Sequence, residues 1–182
     1  SSGMIEELKK KLGNEYNYLI LDCQSIPFKN KFFDTIIANH VLFYLQDIHL
    51  GLSEISRVLK DFGTFYCTTY SHLHMKEINE LVKNFDSRIL LSNDDLANKF
   101  GLENGKAILS PYFNHIELRK YEDSLLVKDA KPLVDYIMSC HGNQKEYLGH
   151  RLKEFQTYIE KIINENNGIH ITKDCGLFIC KK

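Results

Sequence analysis

Apolar positions along the chain recur with two periods, near 3.6 and near 2, and the switches between them divide the sequence into elements. Met4, Ile5, Leu8 and Leu12 follow i, i+4, i+8 spacing, which predicts a half-buried helix over 3–12 stopped at Gly13-Asn14. Tyr18-Leu19-Ile20-Leu21, ending at Asp22, reads as a short strand buried on both faces. Ser25-Ile26-Pro27-Phe28 reads as a loop and Asn30-Lys31 as a turn. A second buried strand is expected at 34–39, running into His40-Val41-Leu42-Phe43-Tyr44-Leu45. Asp47 is placed to N-cap a helix whose stripe is Ile48, Leu52, Ile55 and Leu59. Asp61-Phe62-Gly63 reads as a turn, 64–70 as a third strand, and Met75, Ile78, Val82 and Phe85 as a further helix.

The second half is less regular. Short helices are expected over about 93–100 and 104–110, joined by 101–105. Residues 116–121 alternate as a strand with one wet face, and 124–127 continue it after a Glu122-Asp123 turn. Two helices follow, the second carrying Leu148, Leu152, Phe155, Ile159 and Ile162. The chain closes with strands at 169–172 and 177–180 around a Lys173-Asp174 turn. Buried strands separated by amphipathic helices predict an α/β fold, a parallel sheet covered on both faces.

The bulk numbers narrow the function classes. The chain has 182 residues, 43% hydrophobic and 26% charged, with net charge -1, an ordinary composition for one soluble domain. No run approaches the roughly 20 apolar residues of a membrane span, and the charged first helix does not read as a signal peptide. Near-neutral charge argues against nucleic acid as the main partner. The five cysteines read as small buried hydrophobes in a reducing cytoplasm. Cys175 and Cys180 flank a strand-like run with no second ligand pair, so no metal is expected.

Three blocks carry a resemblance. Leu21-Asp22-Cys23-Gln24-Ser25-Ile26-Pro27-Phe28, followed by 33–42, is similar to the D-A-x-x-L-P-F … F-D-x-V-x-x-x-x-x-L pattern of class I S-adenosylmethionine-dependent methyltransferases, small-molecule branch, type 11-like. Leu52 to Lys60 resembles that family's E-x-x-R-V-L-K-P-G-G helix end, and Ser1-Ser2-Gly3-Met4 the tail of its D-x-S-x-x-M segment. The likeness covers roughly residues 1–85. It implies a Rossmann-like sheet with helices on both faces and an antiparallel C-terminal strand, S-adenosylmethionine as cofactor, and methyl transfer to a small-molecule acceptor. A single domain over 1–182 is expected, with 1–86 as cofactor-side core, 87–112 as a lid-like insertion, and 113–182 as closing strands and acceptor-side helices.

The resemblance also assigns residues. Asp22 with Cys23 would read adenine, since a carboxylate at a strand's C-terminal end faces the ligand crevice of an open α/β sheet. The alternative for Asp22 is a solvated residue capping its own turn. Met4 would lie against the adenine face or be a core methionine. Asn39 and His40 would border the sulfonium and the acceptor, with Phe43-Tyr44 as aromatic wall. His40, Tyr44 and His74 are the candidates for removing an acceptor proton. His72 and His74, following the third strand, read as plain surface or acceptor lining, with metal chelation by an i, i+2 pair the least favoured because no third ligand follows at useful spacing.

Two departures shape the expectations. Asp61-Phe62-Gly63 replaces the family's Pro-Gly-Gly turn, and no glycine-rich cofactor loop or ribose-holding acid occurs in the chain. The strands at 18–22 and 34–39 would then lack their neighbours, leaving 34–39 as an apolar sheet edge. Residues preceding Ser1, a second copy or a partner chain would complete that edge, or the sheet would rearrange. The rival reading is a non-catalytic methyltransferase-like binding or assembly module without the cofactor loop. A dinucleotide enzyme ranks third, because no G-x-G-x-x-G follows a strand.

Overall fold

The computed structural model describes residues 2–13, 15–92 and 95–182. Helix α1 (Ser2–Leu12) leads through irregular chain to β1 (Phe33–Asn39), a 3-10 turn at Leu42–Tyr44, α2 (Ile48–Val58) and β2 (Leu59–Tyr70). Then come α3 (Lys76–Phe85), α4 (Leu96–Lys99), α5 (Gly105–Leu109), β3 (His115–Val127), α6 (Ala130–Ser139), α7 (Gln144–Leu148), a 3-10 turn, α8 (Leu152–Asn166) and β4 (Ile169–Lys181). The four strands form one sheet in the order β1-β2-β4-β3. β1 runs parallel to β2, from Thr35↔Thr64 to Asn39↔Thr68. β4 lies antiparallel between β2 and β3, and its ladder with β3 runs from His115↔Lys181 to Val127↔Ile169.

Local chemistry explains the best-read element. The Asp47 carboxylate accepts the Leu50 N–H at 3.0 Å, closing the start of α2, and Leu52, Ile55 and Val58 are buried on its inner face. Phe65 and Cys67 on β2 and Phe178 and Cys180 on β4 are fully buried on one face of the sheet, beneath Leu52, Ile55, Phe100, Leu109 and Phe113. The alternate residues Tyr66, Thr68, Leu177 and Ile179 are only partly buried. A second apolar cluster joins α3, α6 and α8 through Ile78, Val82, Ile137, Phe155 and Ile159 to Ile169 and Ile171 of β4.

Several sequence expectations need correction. Residues 18–22 form no strand: Leu19, Ile20 and Leu21 are exposed, and the segment's pairing is a single Asp22↔Ser25 bridge. β1 has the expected place at the sheet edge, but only Ala38 is buried in it and Ile37 is 64% exposed. Only β1 and β2 run parallel; the remaining pairings are antiparallel. The turns expected at 122–123 and 173–174 lie inside continuous strands, and 61–63 falls within β2 where its register against β1 shifts between Leu59 and Thr64. α1 forms where expected but buries none of its described residues. The expected helix start at Asn93-Asp94, the helix stop at Asn14 and the block residue Ser1 lie outside the described residues.

Candidate functional site

The loop after Asp22 is held by one ion pair. Arg57 on α2 donates to the Phe28 carbonyl at 2.8 Å, the Ile26 carbonyl at 2.9 Å and Asn30 Oδ1 at 2.8 Å. Glu54, one turn earlier, accepts from Arg57 at 2.7 and 2.8 Å and from the Ile26 N–H at 2.9 Å. The Arg57 hydrogen bonds, then the Ile26 N–H, hold the Glu54 carboxyl far down, at about 2. Gln24 Oε1 accepts the Asp47 N–H at 2.6 Å, fastening the same loop to the start of α2.

This clamp presents Asp22 and Cys23. One Asp22 oxygen accepts the Gln24 N–H at 2.9 Å, so the turn-capping role read from the sequence is realised. Its other oxygen and the Cys23 N–H form no hydrogen bond among the described residues, and Asp22 is exposed. Burial first, then the charges of Asp22 and Glu54, push the Cys23 thiol up, so it stays protonated. An open acceptor beside an open backbone donor fits the edge of an adenine ring. Met4 sits on α1, 67% exposed.

Beside that loop, β1 ends at Asn39 and the chain turns sharply. His40 has φ 50°, a left-handed conformation, and its N–H donates to the Thr68 hydroxyl at 3.1 Å. Its ring stacks on Tyr70 with centroids 6.1 Å apart, and Tyr70 stacks on His74 at 5.2 Å. Phe43 packs against Tyr70 at 5.4 Å and against the exposed Tyr44 at 4.7 Å. The fold thus gathers His40 and His74 against one ring, Tyr70, with Tyr44 joined to it through Phe43.

His74 is set by its surroundings. Burial, then the neighbouring His40, push its pKa below the ordinary 6.5, so the imidazole is neutral at pH 7. Its Nδ1 accepts the Asp174 N–H at 3.2 Å and lies 3.4 Å from Cys175 Sγ. A nitrogen that accepts carries no proton, so the neutral ring is protonated on Nε2. Asp174 in turn accepts from the buried Ser71 hydroxyl at 2.5 Å.

Beyond this row of rings, the C-terminal end of β2, the start of α3, residues 91–92 and 95–97, and α6 border a cavity of about 370 Å³. Tyr70, His72, His74, Met75, Asp95 and Tyr136 are among its walls. Met75 has φ 56°, and its sulfur receives the Tyr136 hydroxyl at 3.6 Å. The sequence readings found His72 and His74 here but missed Met75, Asp95 and Tyr136. Asp95 and Tyr136 lie far apart in the chain, and the only local signal at Asp95 is that of a helix N-cap, accepting the Asn98 N–H at 3.2 Å. Among the described residues no group of three or more His, Cys, Asp or Glu is arranged to hold a metal. No described helix is long and apolar enough to cross a membrane.

Comparisons with known proteins bear on the fold. Residues 1–67 match the family described as "Methyltransferase domain". The malonyl-[acyl-carrier protein] O-methyltransferase of Chlorobium luteolum is 24% identical over 160 residues, 86% of this chain and 57% of that enzyme. The chain therefore spans little more than half the length of that relative. Among solved structures, the YcgJ protein of Bacillus subtilis superposes with TM-score 0.57 at 15% identity, covering 98% of this chain and 76% of that one. The BH2331 protein of Bacillus halodurans C-125 gives TM-score 0.58 at 12% identity, over 99% and 78%. These likenesses establish the fold.

Proposed function

We propose that the chain is a class I S-adenosylmethionine-dependent methyltransferase, the family matched over residues 1–67, and that it transfers a methyl group from S-adenosylmethionine to a small-molecule acceptor. The observation that carries this reading is the row His40–Tyr70–His74, which joins the end of β1 to the cavity at the end of β2. In this reading Asp22 and the Cys23 N–H take the adenine edge, and Asn39 and His40 border the sulfonium. Bound S-adenosylmethionine supplies a methyl group already made electrophilic by its sulfonium. The protein's share is then alignment, and a base only where the acceptor must shed a proton.

Among the three candidates for that base we favour His40. With Nδ1 occupied by the Asp174 N–H, His74 offers a donor at Nε2, which suits orienting the acceptor. Tyr44 contributes aromatic wall, and Met4 has a role only if α1 closes over the adenine. The segment 87–112 and the helices α6–α8 supply the acceptor side. Further strand pairing at the free edge of β1, from a second copy or another chain, would cover Ile37. Five cysteines without a disulfide suit a reducing compartment such as the cytoplasm.

Calorimetric titration of S-adenosylhomocysteine into the natural protein and its Asp22→Asn variant tests the reading. Binding is expected, weakened about tenfold in the variant, the scale of one charge-assisted hydrogen bond. Failure of the natural protein to bind would move the assignment to a non-catalytic binding or assembly module.

A further inference from the structure

We propose that the acceptor carries a cationic amine, recognised by Asp95, Tyr136 and Met75 in the cavity at the end of β2. The inference rests on the methyl-transfer reading and names its substrate class. The argument begins with the charges around the cavity. Among the described residues of its walls Asp95 is the one carboxylate and none is Lys or Arg. The imidazole of His72 lies 4.0 Å from the Asp95 carboxylate and 3.9 Å from that of Glu103, so a second acid stands just outside. Glu103 also accepts the His72 N–H at 3.3 Å.

Apart from His72, which lies between the two acids, the described walls carry no basic side chain but His74. His74 is neutral at pH 7, for the reasons given above. Lys173, the nearest lysine on β4, is bound to Asp123 on the far strand. Burial first, with a contribution from the Asp95 charge, raises Tyr70, so its phenol stays protonated and neutral. A carboxylate or phosphate acceptor would meet the Asp95 charge there with no Lys or Arg among the described walls to offset it. An ammonium group would gain the Asp95 carboxylate, the Tyr136 ring and the polarizable Met75 sulfur, all of them in the cavity wall. About 370 Å³ admits a single small metabolite and leaves little room for a macromolecular side chain with its backbone.

Three probes of one shape test this: phenethylamine, benzyltrimethylammonium and 3-phenylpropionate, titrated into the natural protein and read at the Met75 methyl by NMR. Asp95→Asn removes the charge but keeps the N-cap, because Asn caps as well as Asp. Tyr136→Leu removes the ring while keeping apolar volume. Both amines are expected to shift the Met75 signal, with 3-phenylpropionate at least tenfold weaker. Asp95→Asn should cost phenethylamine about tenfold, and Tyr136→Leu should cost benzyltrimethylammonium about fivefold. Equal or tighter binding of 3-phenylpropionate, no amine response at Met75, or amine affinity unchanged in Asp95→Asn would each overturn the proposal. S-adenosylhomocysteine titrated into the same samples reports separately on the cofactor reading, so amine binding without it would sink that reading alone.

Discussion

Glu54 and Arg57 show how much a single pair can organise. Together they satisfy the backbone of 26–28 and fasten the Asp22 loop to α2, at side-chain exposures of 19% and 32%. The family pattern made the E-x-x-R spacing legible in the sequence, but not what it holds. A carboxyl held at about 2 against an ordinary 4.5 binds its proton less readily in the folded chain than in the unfolded one. Its stabilising share is therefore complete above about pH 4.5 and fades as pH falls from there toward 2. Glu54→Gln should lower Tm by roughly 3–5 °C at pH 7, and should flatten the loss of stability between pH 4.5 and 2. Thermal melts of both proteins across that window measure the difference; parallel curves would mean the pair contributes nothing.

At the scale of elements, the readings that rested on a helix's own periodicity did well. α2 was legible to its N-cap because its hydrogen bonds are internal and its stripe needs only one partner face. Residues 18–22 were misread because a strand's hydrogen bonds come from other segments, and an apolar run does not say whether those are present. The expected turns at 122–123 and 173–174 were misread for a related reason. Asp123 and Lys173 sit directly opposite each other and form an ion pair, so the polar residues that suggested turns stabilise a ladder. Gly142 carried no signal at all. A Cβ there would come 1.8 Å from the Leu90 carbonyl, in the place where Asn143 donates to that carbonyl at 2.9 Å and accepts from the Leu90 N–H at 2.7 Å. Gly142→Ala should therefore cost about 2 kcal/mol in urea unfolding, because the obstacle is backbone and cannot rotate aside.

For the whole molecule, the notable feature is that two apolar clusters share one strand. Phe178 and Cys180 of β4 belong to the cluster under α2, and Ile169 and Ile171 to the cluster under α6 and α8. Phe155→Ala should cost about 3–5 kcal/mol, with the loss concentrated in the second cluster. Hydrogen exchange should show α3, α6 and α8 losing protection while the β1–β2 ladder keeps it. Equal loss across both clusters would mean that they unfold as one unit.

The sequence by itself determined the helices with a clear stripe, the strand cores at 34–39 and 64–70, the α/β class, and the residues of the Asp22 and Glu54–Arg57 blocks. These follow from local periodicity and from motifs a few residues long. Only the tertiary structure decided that β4 runs unbroken between β2 and β3, that 18–22 pairs with no strand, and that Tyr70 joins His40 to His74. It also brought Asp95 and Tyr136 to one cavity. Each of those depends on contacts between residues distant in the chain, and pairing across such distances leaves no period in the sequence to read.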